Sequence, residues 1–353
     1  MSAADGPTRA ATIFDVARLA GVSHQTVSRV INDLPNVRPA TRARVEQAIA
    51  QLRYSPSPAA RALVTRRTRT IGLIVPAVLD YGPTSIAMHF NVAARAARYS
   101  VDTVTAIDVD PAGIRSLVEG LLRRRVDAIV IVVNDVAVLE VVQGLDLNIP
   151  VVATAATAHR SPRIVSIDQY RGARSAVRHL AELGHTRIAH IAGPTRAPDA
   201  TERRRGWRDE LVAHRLEVSE PLHGDWTAAS GFALGLELDV QPGSAVFVAN
   251  DHMSIGLLSA LRERSIRIPE DVSVVGFDDV PEAGFLFPPL TTVRQDFGAL
   301  GELIVQKVLV SVEEPDSMTE DTPLVTHLIV RQSTRAVDIA ETHHRADAAR
   351  PPV

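Results

Sequence analysis

The chain has 353 residues, 46% apolar and 22% charged, enough to bury the cores of two or three compact units, and no Cys, which excludes disulfides and thiolate chemistry. No stretch approaches the roughly 20 continuous apolar residues of a membrane helix, and Met1 to Ala11 lacks a signal peptide's apolar segment, so a soluble, cytoplasmic protein without a membrane partner is expected. The net charge of −3 is uneven: residues 1–70 carry eleven Arg against four acids, a balance of +7 that leaves −10 for the remainder, and a basic head on an acidic body suits a nucleic-acid partner because attraction to phosphates is local.

The first elements read as two short helices meeting at one glycine. Thr12 caps the first with Asp15 three residues on, Val16, Leu19 and Ala20 keep helical spacing, and Gly21 ends it where a positive φ is needed. Ser23 caps the second. Val27, Val30 and Ile31 turn inward, which leaves His24, Gln25, Ser28, Arg29 and Asn32 on or near a polar side that fits a major groove. A turn through Asp33 to Asn36 precedes a third helix, opened by Pro39 and running to about Leu52, with Val45, Ala48, Ile49 and Leu52 as its buried face. Tyr54-Ser55-Pro56-Ser57-Pro58 breaks it. Ala59 to Val64 has room for one or two further helical turns before the charged run Thr65 to Arg69.

From Ile71 the pattern changes to short apolar strands alternating with helical segments: Ile71 to Val75, Asp102 to Ile107, Ala128 to Val133, Val151 to Thr154 and Ile164 to Ile167. A second set follows at Ile188 to Ala192, near Glu217 to Leu222, at Ala245 to Ala249 and at Val272 to Phe277, with helices such as Tyr170 to Leu183 and Ile255 to Arg264 between them. Strands apolar on both faces imply parallel sheets covered by helices, and two such halves place a ligand cleft at the carboxyl ends of their strands. The late strands Thr291 to Gln295 and Val325 to Val330 are expected to cross back between the halves. Ala336 to Val353 is polar and is expected to be disordered.

The run from Asp15 to Asn32 closely resembles the helix-turn-helix of the lactose repressor family of bacterial transcription regulators. The body resembles the same family in His185 to Ala189, Gly224-Asp225-Trp226-Thr227, Val248 to Asp251, Val274 to Asp279 and Pro288 to Phe297, so that similarity spans about residues 12–335. The resemblance implies an all-α headpiece followed by an α/β body of the type I periplasmic-binding-protein fold, with two doubly wound parallel-sheet subdomains. The expected boundaries are 10–58 for the headpiece, 59–69 for a hinge, 70–335 for the effector-binding and dimerisation domain, and 336–353 for the tail. Within the body the subdomains take 70–167 plus 296–324 and 168–295 plus 325–335. In this family such a hinge folds on operator DNA and wedges leucines into the minor groove, which assigns that part to Leu63.

On this reading His24, Gln25 and Arg29 touch base edges, Thr12, Ser23, Thr26, Ser28 and Asn32 hold phosphates, and a homodimer grips a pseudo-palindromic operator. Arg203, Trp226, Asn250, Asp278, Phe297 and Asp168 are the candidate effector residues. A pyranose presents a C–H face for an aromatic ring and hydroxyls that Asp, Asn and Arg bond in pairs, so a sugar is the expected ligand. Two departures, Ala155 where the lactose-binding pattern has an Asp and Pro76 where it has a Ser, strip polar groups from one wall and argue against a plain galactoside. A purine-like corepressor is the alternative within the family, and only the sign of the effector's action separates it. A transporter's solute-binding protein would share the body but not Thr12 to Leu63. An enzyme would need a Gly-x-Ser-x-Gly elbow, a P-loop or a Gly-x-Gly-x-x-Gly turn, and the sequence contains none; the twelve His show no metal-ligand spacing, so neither cofactor nor metal is expected.

Overall fold

A computed structural model describes residues 11–31, 35–54, 67–107, 110–156, 161–241, 243–314, 319–320 and 322–337. The chain divides into two compact units, residues 1–69 and 70–353. In the first unit α1 (Ile13–Ala20), α2 (His24–Ile31) and α3 (Pro39–Leu52) enclose a small core of Val16, Ala17, Ala20, Val27, Val30, Val45 and Ala48. Thr12 and Asp15 form a reciprocal capping box: the Thr12 amide donates to Asp15 Oδ2 at 2.9 Å and the Asp15 amide to Thr12 Oγ1 at 3.4 Å. Gly21 ends α1 with φ 64°, a conformation that costs a side-chain-bearing residue about 1 kcal/mol or more. Leu19, expected inside, is 46% exposed; the short helix instead turns Ala17 into the core, because three helices of this length leave room for small residues at their crossing.

The second unit contains two sheets. In the first, β1 (Thr70–Pro76), β2 (Ser100–Ala106), β3 (Ala128–Val132), β4 (Val151–Thr154) and β5 (Ile164–Val165) lie parallel in the order β2-β1-β3-β4-β5. Four helices connect or cover them: α4 (Tyr81–Ala96), α5 (Pro111–Arg123), α6 (Val136–Gly144) and, arriving from much later in the chain, α11 (Phe297–Glu313). In the second, β6 (Arg187–Ala192), β7 (Leu222–His223), β8 (Ser244–Val248), β9 (Val272–Asp278) and β10 (Thr291–Arg294) repeat the arrangement as β7-β6-β8-β9-β10, with β11 (His327–Ile329) antiparallel at the edge. Its helices are α7 (Gln169–Glu182), α8 (Pro198–Ala213), α9 (Ala228–Glu237) and α10 (Asp251–Glu263). The central strands β3 and β8 are buried at every residue, as the continuous apolar runs anticipate, and apolar clusters cover both faces of each sheet.

Two expectations need correction. The strand sought near Glu217 to Leu222 is confined to Leu222–His223: Glu217, Ser219 and Glu220 are exposed, and Pro221 has no N–H for a ladder. The late strands do not themselves cross between the halves. Both belong to the second sheet, where Thr291 pairs with Val275 and Val293 with Leu328. The crossings are the short segments beside them, around Ser166 to Asp168, Gln295 to Asp296 and Leu324 to Thr326. The first and third are tied together, Leu324 N–H donating to Ser166 O at 2.9 Å and Asp168 N–H to Leu324 O at 2.8 Å.

Residues 55–66, and with them most of the expected hinge including Leu63, lie outside the described residues, as do Asn32 and residues 338–353. Ala336 and Val337, placed by the sequence in the tail, are docked on the body: the Val337 N–H donates to Leu183 O at 2.8 Å. Helices α9 and α10 meet through glycines, and a Cβ added at Gly256 would stand 1.9 Å from Ala228 O. Gly256→Ala should therefore force α9 off α10 and cost about 1–3 kcal/mol, read as a lower midpoint in urea denaturation.

Candidate effector pocket and DNA-reading face

The loops leaving the carboxyl ends of both sheets face one another across a pocket containing about 760 Å³ of space between atoms, open to solvent. Its first wall, from Ile86, Val132, Val133, Thr154, Ala155 and Ala156, is largely apolar, with Asp80, Tyr81 and Asn134 toward the polar side. Its second wall carries Arg203, Trp226, Asn250 and Asp278, and Phe297 lies at the base of α11. Five of the six expected effector residues are thus brought together. The parallel topology does this, because Trp226, Asn250, Asp278 and Phe297 sit within three residues of a strand's carboxyl end, and Arg203 reaches in from the second turn of α8.

Asp168 is the exception and a correction. It caps α7, accepting the Arg171 N–H at 2.8 Å and pairing with Arg171 Nε at 3.6 Å, and it does not line the pocket. A carboxylate at a helix start is drawn to the free amides of the first turn, so the next residue, Gln169, points inward instead. Ala155 does line the pocket, whereas Pro76 does not.

Arg203 is buried, and each of its three guanidinium nitrogens meets a partner. Nε donates to Gln169 Oε1 at 2.9 Å, Nη1 donates to Ala249 O, Nη2 lies 3.6 Å from Asp278 Oδ1, and Cζ stands 3.9 Å above the Phe277 ring. Gln169 Nε2 donates to Gln295 Oε1 at 2.6 Å, and Gln295 Nε2 donates to Asp278 Oδ1 at 2.7 Å. Donor and acceptor alternate round a closed ring from Arg203 through both glutamines to Asp278. Sequence reasoning missed the glutamines because their value lies in position: Gln169 follows one chain crossing and Gln295 opens another.

Trp226 holds φ 75°, unusual for a side chain of its size. Two neighbours keep it there: its carbonyl accepts Asn250 Nδ2 at 3.0 Å, and its indole lies against Gly193, where a Cβ would stand 2.3 Å from the ring. Asn250 Oδ1 meanwhile accepts the Met253 N–H at 2.9 Å as the cap of α10, so Asn250 positions the indole as well as lining the pocket. Phe297 meets Tyr81 edge-on at 5.7 Å. Trp207, by contrast, is 1% exposed and donates to Ile188 O, a core residue.

Beneath the pocket Asp251 accepts Thr292 Oγ1 at 2.6 Å and the Val280 N–H at 2.9 Å, and burial pushes its carboxyl well above the usual range. Asp278, with φ 116°, is pushed up to about 7 by burial, with Arg203 and Gln295 opposing the shift and Asp199 and Asp80 reinforcing it. The next residue, Asp279, has φ 55° and is clamped by Arg294 and Arg331, each at 2.6 Å.

On the headpiece His24, Gln25 and Arg29 are exposed on one face of α2, opposite buried Val27 and Val30. Ser23 Oγ accepts the Thr26 N–H at 3.2 Å, and the two hydroxyls stand 2.9 Å apart, so both are oriented at the helix start. Thr12 is engaged in the α1 cap, and Ser28 is half-buried. Phe14, 61% exposed, packs on His24 with centroids 5.3 Å apart, an aromatic of this face that the helix periodicity did not single out.

Residues 12–57 match the profile described as bacterial regulatory proteins, lacI family, and residues 177–334 match a periplasmic binding protein-like domain. The lactose operon repressor of Escherichia coli strain K12 is 32% identical over 343 residues, covering 95% of this chain and 94% of that protein. The chain belongs to the lacI family. It is a DNA-binding transcriptional repressor with a periplasmic-binding-protein-like body. The HTH-type transcriptional regulator CelR of Thermobifida fusca is 37% identical over 347 residues, covering 92% of this chain and 98% of CelR. A lac repressor dimer bound to operator and the anti-inducer ONPF superposes with a TM-score of 0.82 at 31% identity, over 93% of this chain and all of that one. A CelR–cellobiose complex superposes at 0.65 and 32% identity, over 92% and 99% of the two chains. No helix among the described residues of this lacI-family protein is long and apolar enough to cross a membrane, and no cluster of metal-ligating side chains occurs there.

Asp278 gives the family member a testable pH signature. Its carboxyl binds its proton more tightly folded than unfolded, so its contribution to stability is full below about pH 4 and is lost as pH rises through about 7. Asp278→Asn, which keeps an acceptor for Gln295, should flatten the fall in Tm between pH 5 and 8; thermal melts that stay parallel across this range would assign the ring a different charge balance.

Proposed function

We propose that this repressor grips a pseudo-palindromic operator as a homodimer and releases it when a sugar-like effector enters the pocket between the two body halves. The observation that carries the reading is Trp226 held beside the buried Arg203–Asp278 ring: an aromatic face for the C–H side of a pyranose, with charged and amide groups at its rim for hydroxyls. Arg203 Cζ lies 5.5 Å from the Trp226 ring, so a sugar stacked on the indole is within reach of the guanidinium. The cellobiose held by CelR supports a glucoside rather than a galactoside, in keeping with Ala155 on the facing wall.

The ring also suggests how binding is transmitted. Gln169 and Gln295 belong to the crossings that join the halves, so a ligand contacting Arg203 or Asp278 acts on the hinge directly. A change in the orientation of the halves separates the two linkers of a dimer, the Leu63 pair leaves the minor groove, and hinge order is lost. By linkage, operator DNA weakens effector binding by the same factor, a coupling of about 1–3 kcal/mol.

Base reading falls to His24, Gln25 and Arg29, and phosphate contacts to Thr12, Ser23, Thr26, Ser28 and Asn32. Arg29→Ala should cost about 1–3 kcal/mol and relax the ranking of operator variants in gel-shift titrations, whereas Thr26→Ala should weaken all variants alike. Asp278→Ala should leave operator affinity near normal and abolish release by the active sugar. Cellobiose, lactose and glucose titrated against the operator complex give the sign: release supports induction, and tightening replaces it with corepression. Sedimentation of the chain with and without residues 336–353 should show dimers in both cases, since the tail has no leucine heptads with which to pair them.

A further inference from the structure

Asp135 and Arg196 belong to different halves of the body and meet beside the pocket. Asp135 stands between β3 and α6 next to Asn134, Arg196 stands between β6 and α8 next to Ala197, and both of those neighbours line the pocket. The pair is bidentate: Arg196 Nε donates to Asp135 Oδ2 at 2.8 Å and Nη2 to Oδ1 at 2.7 Å. A third bond runs through the main chain, the Val136 N–H donating to Arg196 O at 3.1 Å.

Each partner is presented by its own half. Asp135 caps α6, its Oδ1 accepting the Ala137 N–H at 2.8 Å, which orients the carboxylate without help from the second half. Arg196 lies in a turn closed by the Ala197 N–H on Pro194 O at 3.1 Å, and Pro198 follows in the first turn of α8. The first amides of a helix have no partner within it, and Val136 carries one of them. Arg196 O therefore completes from the second half the cap that Asp135 begins in the first.

The tie is also easily undone. The Arg196 side chain is 63% exposed against 14% for Asp135, and salt weakens a pair so open to solvent. Water can take the place of Arg196 O on the Val136 amide when the halves part. The hydrogen bonds from Arg196 hold the Asp135 carboxyl below the usual carboxylate range, so the pair stays charged at neutral pH. The chain crossings join the halves covalently and cannot separate; this contact can. Because α8 also carries Arg203, a shift of the Arg196 turn is passed along one helix to the ring of Gln169 and Gln295.

We propose that Asp135 and Arg196 form a salt-sensitive latch that holds the two halves together at the edge of the pocket and sets how fast a ligand enters and leaves it. The latch rests on the protein's own geometry; its effect on operator release rests on the sugar reading above.

Trp226 reports the latch without any effector. In the full-length protein Trp207, 1% exposed, is shielded, so the uncharged quencher acrylamide reads Trp226. Arg196→Gln should raise the quenching constant about twofold or more at low salt, as should Asp135→Asn, which keeps an acceptor for the Ala137 N–H. The double variant should go no further than either single one, and Arg196→Lys, which keeps the charge but not the fork, should fall between. Salt at roughly 1 M should raise the constant of the wild type and leave that of Arg196→Gln where it is. Arg124 makes an equally bidentate pair with Asp102, at 2.7 and 2.8 Å, but both lie in the first half, so Arg124→Gln should change nothing. Quenching that is unchanged in Arg196→Gln, that rises equally in Arg124→Gln, or that rises only together with a fall in the urea midpoint overturns the latch. Stopped-flow mixing of the operator complex with cellobiose or lactose then reads its kinetic part: Arg196→Gln should speed release by an active sugar about twofold or more, and an unchanged rate overturns that part. If neither sugar releases the operator yet the quenching pattern holds, the sugar reading fails and the latch stands.

Discussion

Burying a guanidinium commits much of the body at once. Arg203 is 3% exposed, and a charge so placed must be met by partners on all sides or cost several kcal/mol. Its partners come from the start of α7, the residue after β8 and the end of β9, three places far apart in the sequence. Only a sheet in which β6, β8 and β9 run parallel, with their carboxyl ends together, gathers them. The arginine therefore depends on the topology, and the pocket depends on the arginine.

The same requirement explains why the site and the hinge share residues. Gln169 and Gln295 are each fixed by donating through one end of the amide and accepting through the other, which leaves little freedom to either crossing. A rearrangement of the halves has to move these segments, and so has to alter the ring. On the proposed reading, transmission needs no long path through the core, because the ring that lines the pocket includes residues beside the crossings that join the halves.

Backbone strain gathers at the same spot. Trp226, Asp278 and Asp279 all hold positive φ, and each is restrained by side chains from other elements: Asn250 on the Trp226 carbonyl, Gln295 on Asp278, and Arg294 with Arg331 on Asp279. These restraints hold an aromatic face and a carboxylate in fixed positions.

The capping box at Thr12 and Asp15, the glycine turn at Gly21, the polar face of α2 and the apolar central strands of both sheets were all legible in the sequence, because each depends on residues within one turn or one strand of each other. Trp226, Asn250, Asp278 and Phe297 were legible as strand-end residues through family resemblance. What was not legible is whatever depends on contact across the chain: the inward turn of Gln169 in place of Asp168, the placement of both late strands in the second sheet, and the docking of Val337 on Leu183. Local order is decided by hydrogen bonds and periodicity that a short segment satisfies by itself. Which carboxylate faces the cleft and which caps a helix is decided only when two sheets close on each other, since it is burial, and not residue type, that sets the cost of leaving a polar group without a partner.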